Sequence, residues 1–136
     1  DIVRLNDKML QNPSKIGTLA SIIKENKNLK NENIVKVITE NALVENNFPK
    51  GISFLRMSER IDNIYHHIGV YCYSKDSLEK FVQLSQSKNE IENRLEQLRA
   101  LDNNIDINVS LAMSSPIGVD TEEDYLALKK IMEYKN

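Results

Sequence analysis

The stretch Tyr65-His66-His67-Ile68-Gly69-Val70-Tyr71-Cys72-Tyr73 most tightly limits what this chain can fold into. It is dense in β-branched and aromatic residues, holds no proline and runs into the turn-like Ser74-Lys75-Asp76, so it reads as a strand inside a sheet. Side chains alternate along a strand, which puts His67, Gly69, Tyr71 and Tyr73 on one face and Ile68, Val70 and Cys72 on the other. The second face is wholly apolar and belongs in a core. The first carries polar aromatics on either side of a glycine, and a glycine inside a strand lets a ligand or another backbone come close. In a fully extended strand the Cα atoms of His67 and Tyr71 stand about 13 Å apart and flank a cleared floor. The plainer reading is a half-buried strand whose histidine and tyrosine bond to neighbours.

The flanking sequence supplies a sheet with helices around it. Residues 2–10 place Ile2, Leu5, Met9 and Leu10 at the spacing of a short amphipathic helix, stopped by Asn12-Pro13. Residues 16–23 and 34–39 have strand propensity, with a solvated Lys- and Asn-rich connection between them. Asn46-Asn47 and Pro49-Lys50-Gly51 interrupt the chain, and residues 52–56 resume as a strand, so 34–56 forms a hairpin or excursion. After the central strand the period changes: Leu78, Phe81, Val82 and Leu84 mark a helix. Ser87-Lys88-Asn89-Glu90 is a capping-box pattern. It opens one further helix with Ile91, Leu95 and Leu98 toward the core and Glu96 and Gln97 turned away, ended by Asn103-Asn104. Residues 105–112 alternate as a strand, 114–120 form a loop, and Thr121-Glu122-Glu123-Asp124 starts the last helix. The interleaving of strands and helices is the α/β class.

Composition narrows the function. A chain of 136 residues suits one domain. A net charge of −2 leaves no basic footprint, so nucleic acid is not an expected partner. The lone Cys72 allows no internal disulfide and fits a reducing compartment, hence a cytoplasmic location. No apolar run is long enough to span a bilayer and the first residues have no signal-peptide pattern, so a membrane is not an expected partner either. The four glycines, Gly17, Gly51, Gly69 and Gly118, are widely separated and form no phosphate loop. Adjacent His66 and His67 point to opposite faces of a strand, no Cys/His cluster has zinc spacing, and no nucleophile elbow is present.

Three constellations remain: the His67/Tyr71 face, Leu95-Glu96-Gln97-Leu98-Arg99, and Gly118-Val119-Asp120-Thr121. The second is either a solvated face with a Glu96–Arg99 pair worth a few tenths of a kcal/mol, or a helix whose polar side lines a cleft. Asp120 stands just before a helix start. There it complements the helix dipole by roughly 0.3–1 kcal/mol, or presents a carboxylate to a hard cation such as magnesium.

Taken together, Tyr-His-His-Ile-Gly-Val-Tyr at 65–71, Leu-Glu-Gln-Leu-Arg at 95–99, Gly-Val-Asp-Thr-Glu-Glu-Asp at 118–124 and Asn-Glu-Asn-Ile-Val-Lys-Val at 31–37 resemble the C-terminal half of the 3-deoxy-manno-octulosonate cytidylyltransferase (CMP-Kdo synthetase) family. Each motif alone is common; the four in one order carry the resemblance. It implies the C-terminal part of a Rossmann-like nucleotide-sugar transferase fold with a mixed sheet, all of 1–136 belonging to one cytidylyltransferase domain and 34–56 forming a dimerisation hairpin. It implies transfer of CMP from CTP to an acidic eight-carbon sugar, releasing pyrophosphate with Mg2+ assistance, for lipopolysaccharide biosynthesis, in a homodimer. By the same resemblance His67, Tyr71, Glu96 and Gln97 contact the sugar and Arg56 meets its carboxylate. The resemblance also implies Asp120 as the catalytic magnesium ligand. An acidic, hydroxyl-rich substrate does want one guanidinium and several neutral hydrogen-bonders. The pattern departs from the family at Met57-Ser58-Glu59-Arg60, where Ser-Pro-Ile-Pro is usual, at Lys88-Asn89, where Pro-Leu is usual, and at Asn93 in place of a second glutamate. The family's nucleotide-binding half, with its glycine-rich basic loop and second magnesium carboxylate, is not in these residues, so the chain is expected to be a fragment, inactive alone. Two other readings stay open: a cytidylyltransferase for another acidic sugar, such as a Kdo variant or sialic acid relative, and a non-enzymatic sugar-binding or interaction domain.

Overall fold

The computed structural model describes residues 1–114, 118–119 and 121–134. One mixed sheet has the strand order β3-β2-β4-β1-β5. The strands are β1 (Ile16–Ser21), β2 (Lys36–Thr39), β3 (Gly51–Leu55), β4 (Ile64–Tyr73) and β5 (Ile107–Leu111). Strands β1 and β5 run parallel and the other pairings are antiparallel. The histidine-tyrosine stretch is β4, at the centre. The helices are α1 (Ile2–Gln11), α2 (Lys75–Val82), α3 (Lys88–Asn93), α4 (Leu98–Asp102) and α5 (Glu122–Glu133), with a 3-10 turn at Asn26–Lys30. No helix among the described residues is long and apolar enough to cross a membrane.

Both faces of the sheet are covered. On one, α1 lays Leu5 against Leu19, Ala112 and the Ile68, Val70 and Cys72 side chains of β4, the apolar face expected from alternation. Gly17 makes that approach possible, since a Cβ there would stand 2.7 Å from Met9 Sδ and 3.0 Å from Leu5 Cδ1. On the other face a larger core gathers Val37, Phe54, Phe81, Leu95, Leu98 and Val109, with Tyr65, Tyr71 and Tyr73 packed against it. The tyrosine-bearing face of β4 is therefore mostly a packed wall.

The sheet curls until its two ends meet. Lys50, just before β3, bridges Asn108 of β5, and Val109 N–H donates to the Pro49 carbonyl at 2.8 Å. The hairpin expected at 34–56 is β2 paired with β3. Its apolar residues are largely used internally: Phe54 is core, Phe48 packs toward α1 and Leu55 joins Leu29, Ile38 and Ile64. Val44 and Ile52 remain exposed.

Both capping boxes form, Ser87 with Glu90 and Thr121 with Asp124. The single helix expected from Ile91 through Leu98 does not. It ends at Asn93 because Arg94 adopts the left-handed conformation (φ 54°, ψ 47°), which turns the chain and drops Leu95 into the core. Ile91 is consequently exposed. Of the two polar residues expected to face away, Glu96 does and Gln97 is buried.

Candidate functional site

A bulge shapes the centre of β4. Tyr71 pairs with Thr18 while Ile68 pairs with the next residue, Leu19, so Gly69 and Val70 have no partners on β1. No open floor separates His67 from Tyr71: their ring centroids lie 5.6 Å apart. The rings belong to one aromatic row. Phe54 meets His67 edge-on at 5.0 Å, Tyr71 lies 6.1 Å from Tyr73, and Tyr73 lies 5.8 Å from Phe81. The Arg99 guanidinium closes the row 4.8 Å from the Phe81 centroid. Gly69 itself is exposed, and a Cβ built there meets nothing within 4 Å.

The electrostatics follow from burial. His67 is 7% exposed, and burial, with His66 adding, pushes its pKa down to about 4, so the ring is neutral near pH 7. Its Nε2 lies 3.0 Å from Thr18 Oγ1. Burial, with smaller contributions from Tyr73 and Glu96, holds the Tyr71 hydroxyl well above the usual tyrosine range, so it stays protonated. Burial first and Lys36 second lower His66. The fully buried Lys36 amine donates to the carbonyls of Asn31 (2.7 Å) and Arg56, and its own pKa falls through burial.

Arg56 and Arg99 are both held in place. The Arg56 guanidinium donates to the carbonyls of Glu32, Asn93 and Arg94 at 3.1, 3.1 and 3.0 Å. A guanidinium has about five N–H groups, so roughly two are left for a ligand. Arg99 forms a two-pronged pair with Glu90 at 2.8 and 2.5 Å. Glu96, the partner expected from helical spacing, is 4.0 Å away and exposed. Residue 94 breaks the helix, and Glu90 then meets Arg99 across the α3–α4 turn.

Three hollows that share lining residues run from β4 to the α3–α4 turn. The first, about 240 Å³, is lined by Asn33, Val35, His66, His67, Gly69 and Gly118. Asn33 also lines the second, about 670 Å³, beside Glu32, Arg56, Asn93 and Arg94. Arg94 also lines the third, about 540 Å³, with Glu90, Glu96 and Arg99. His67, Arg56 and Glu96 thus line one hollow each, Tyr71 packs half-buried against His67 at a tilt, and Gln97 is inside. Asp120 lies outside the described residues, although Gly118, two positions earlier, lines the first hollow. Among the described residues no group of three or more His, Cys, Asp or Glu side chains could hold a metal ion. Sequence reasoning assigned no role to Asn33, Arg94 or Thr18. Asn33 lies in a quoted motif, whereas Arg94 and Thr18 carry no local signal.

The whole chain superposes on a solved structure of a CMP:2-keto-3-deoxy-manno-octonic acid synthetase complexed with CTP. The TM-score is 0.85 and the identity 24%, and the match takes in 56% of that chain. The mixed α/β sheet is thus that of a Rossmann-like nucleotide-sugar transferase fold. A sequence model of the cytidylyltransferase family matches residues 1–107, and the chain belongs to that family. It is 39% identical over 119 residues to the 3-deoxy-manno-octulosonate cytidylyltransferase of Bartonella tribocorum, matching 86% of this chain and 48% of that protein. Against the protein of the same description from Sinorhizobium medicae it is 38% identical over 133 residues, matching 96% of this chain and 52% of that protein. The chain spans about half the length of the curated relatives it matches.

Proposed function

We propose that this chain is the sugar-binding half of an enzyme that transfers CMP from CTP to 3-deoxy-manno-octulosonate, giving CMP-Kdo and pyrophosphate. The observation that carries the reading is convergence on the first hollow. Asn33, the His67–Gly69 segment and Gly118 come from three motifs far apart in sequence, and all line one 240 Å³ space. In this reading the anomeric hydroxyl attacks the α-phosphate of CTP, the new O–P bond forms, and pyrophosphate leaves. Neutral His67 and the protonated Tyr71 bond sugar hydroxyls. The remaining N–H groups of Arg56 meet the carboxylate, and exposed Glu96 accepts from hydroxyls further along the wall. Buried Gln97 shapes the wall behind them.

The phosphate cradle lies in the half that this chain does not contain. A place for that half is the edge of β4 from Ile68 to Tyr73, where no strand among the described residues pairs on the side away from β1. Asp120 would supply one magnesium carboxylate, and the nucleotide-binding half would supply the other. Magnesium would neutralise charge developing on the phosphates. The lone cysteine fits a cytoplasmic enzyme. Exposed Ile52 on edge strand β3 and exposed Val44 in the segment between β2 and β3 are the apolar residues that a second copy would cover in a homodimer. A mass that stays monomeric across a concentration series in light scattering would count against that dimer.

The function is tested by pyrophosphate release from CTP with the nucleotide-binding half present. Release should require Kdo and fall to background with N-acetylneuraminate. A preference for the sialic acid would move the enzyme to the other acidic-sugar class, and no release with any acidic sugar would leave a non-enzymatic sugar-binding domain.

A further inference from the structure

Thr18 sits at the bulge of β4, and its surroundings fix how the His67 ring presents itself. The threonine is fully buried. Its hydroxyl lies 2.8 Å from the Val70 carbonyl and 3.3 Å from the Ile68 carbonyl, two acceptors on the bulged segment, and 3.0 Å from His67 Nε2. A hydroxyl has one proton and two lone pairs. Carbonyl oxygens only accept, so that proton goes to the shorter carbonyl contact and a lone pair faces the histidine. Were Nε2 bare, the hydroxyl would turn its proton to the ring and set its lone pairs against the Val70 carbonyl 2.8 Å away, an oxygen–oxygen contact with no proton in it. The bulge thus explains the contact: β1 does not pair Gly69 and Val70, and the Thr18 side chain meets the carbonyl of Val70, with that of Ile68 just before the bulge further off.

We infer that Thr18 is a positioning residue: through its hydroxyl it holds His67 in the neutral Nε2–H tautomer, so that Nδ1 is the acceptor the ring offers to a hydroxyl of the sugar. The inference rests on the reading that His67 faces the sugar, and it assigns the chemistry of that contact. A ring whose remaining nitrogen only accepts suits a hydroxyl donor and repels a carboxylate. His67 therefore selects the polyol part of the ligand and leaves its acid group to Arg56. The lowered pKa of His67 agrees, because an imidazolium would carry protons on both nitrogens and accept nothing.

The chain holds only two histidines, His66 and His67, so side-chain nitrogen spectra with ¹⁵N-labelled histidine read the tautomer directly on the chain itself. At pH 7 His67 should show a protonated Nε2 and an unprotonated Nδ1. Thr18→Val should shift the ring toward the other tautomer or a mixture, and Thr18→Ser should restore the first. In the enzyme assembled with its nucleotide-binding half, Thr18→Val should raise the KM for Kdo about tenfold, the weight of one hydrogen bond, with the KM for CTP unchanged and Thr18→Ser near the parent. A protonated Nδ1 in the parent, or a tautomer unmoved by Thr18→Val, overturns the inference without touching the sugar site, and the parent spectrum decides even if the valine variant does not fold. The assigned tautomer together with a Kdo KM indifferent to both Thr18→Val and His67→Ala would instead overturn the sugar contact itself, and the positioning role with it.

Discussion

Replacing Gly69 with alanine adds one methyl group to the wall of the first hollow. Gly69 has no positive φ, so alanine can adopt its backbone conformation without strain. The added Cβ meets nothing within 4 Å, so no neighbour must move. What remains is the loss of freedom in the unfolded chain, which stabilises by about 0.4–1 kcal/mol at a compatible site. In a chain of 136 residues that corresponds to a Tm rise of roughly 1–4 °C. The methyl enters the hollow lined by Asn33, His67 and Gly118, where the proposed function puts the sugar. With the nucleotide-binding half present, the KM for Kdo should rise while the KM for CTP stays within error. Differential scanning calorimetry on the chain and steady-state kinetics on the assembled enzyme read the two quantities separately. A loss of stability above about 1 kcal/mol would refute the backbone reasoning, because that size requires strain or a clash. An unchanged Kdo KM in a stable variant would refute the placement of the sugar.

Other perturbations test separate parts of the structure. Folding holds the His67 pKa at about 4, below its usual 6.5, so the stability that depends on the neutral ring is complete above pH 6.5 and is lost as pH falls toward 4. The loss is about 3 kcal/mol, and His67→Gln should flatten a urea-unfolding pH series in that window; an unaltered slope would mean the ring is solvated. Glu90→Gln leaves the Arg99 guanidinium beside Phe81 with only exposed Glu96 as a charge partner, at a cost of about 3 kcal/mol, whereas Glu90→Leu with Arg99→Met should recover all but the roughly 1 kcal/mol of the lost Ser87 cap; equal losses in both variants would show that the charge pair is not what Glu90 contributes. Asp120→Asn in the assembled enzyme should leave the melting temperature unchanged but abolish turnover at low magnesium, since an amide holds a hard cation far less well than a carboxylate. Normal turnover would leave Asp120 a helix-dipole residue only.

Much of the fold was legible because its signals are local. The β-branched and aromatic run gave β4, and the opposite polarity of its faces gave the packing of Ile68, Val70 and Cys72 beneath α1. Ser87 and Thr121, each three residues before an acid, gave both helix starts. The parts that were not legible depend on contacts across the chain. Nothing at Arg94 announces a left-handed residue, because the usual glycine is absent, so two short helices read as one and Glu96 rather than Glu90 looked like the partner of Arg99. The bulge arises from pairing with β1, and Gly69 alone does not distinguish it from a flat strand. The hydrophobic count in the hairpin overstated its free surface, since the curl of the sheet turns Phe54 inward and α1 meets Phe48. The family motifs named His67, Arg56 and Glu96, but only the folded chain shows that Asn33 and Arg94 join their hollows into one wall.

The most direct test of the central claim is difference density for Kdo in crystals of the assembled, CTP-bound enzyme. The sugar should lie in the first hollow, with a hydroxyl within hydrogen-bonding distance of His67 Nδ1 and its carboxylate turned toward Arg56. Well-defined density elsewhere, with the space between Asn33, His67 and Gly118 holding only solvent in a crystal that turns over, would contradict it.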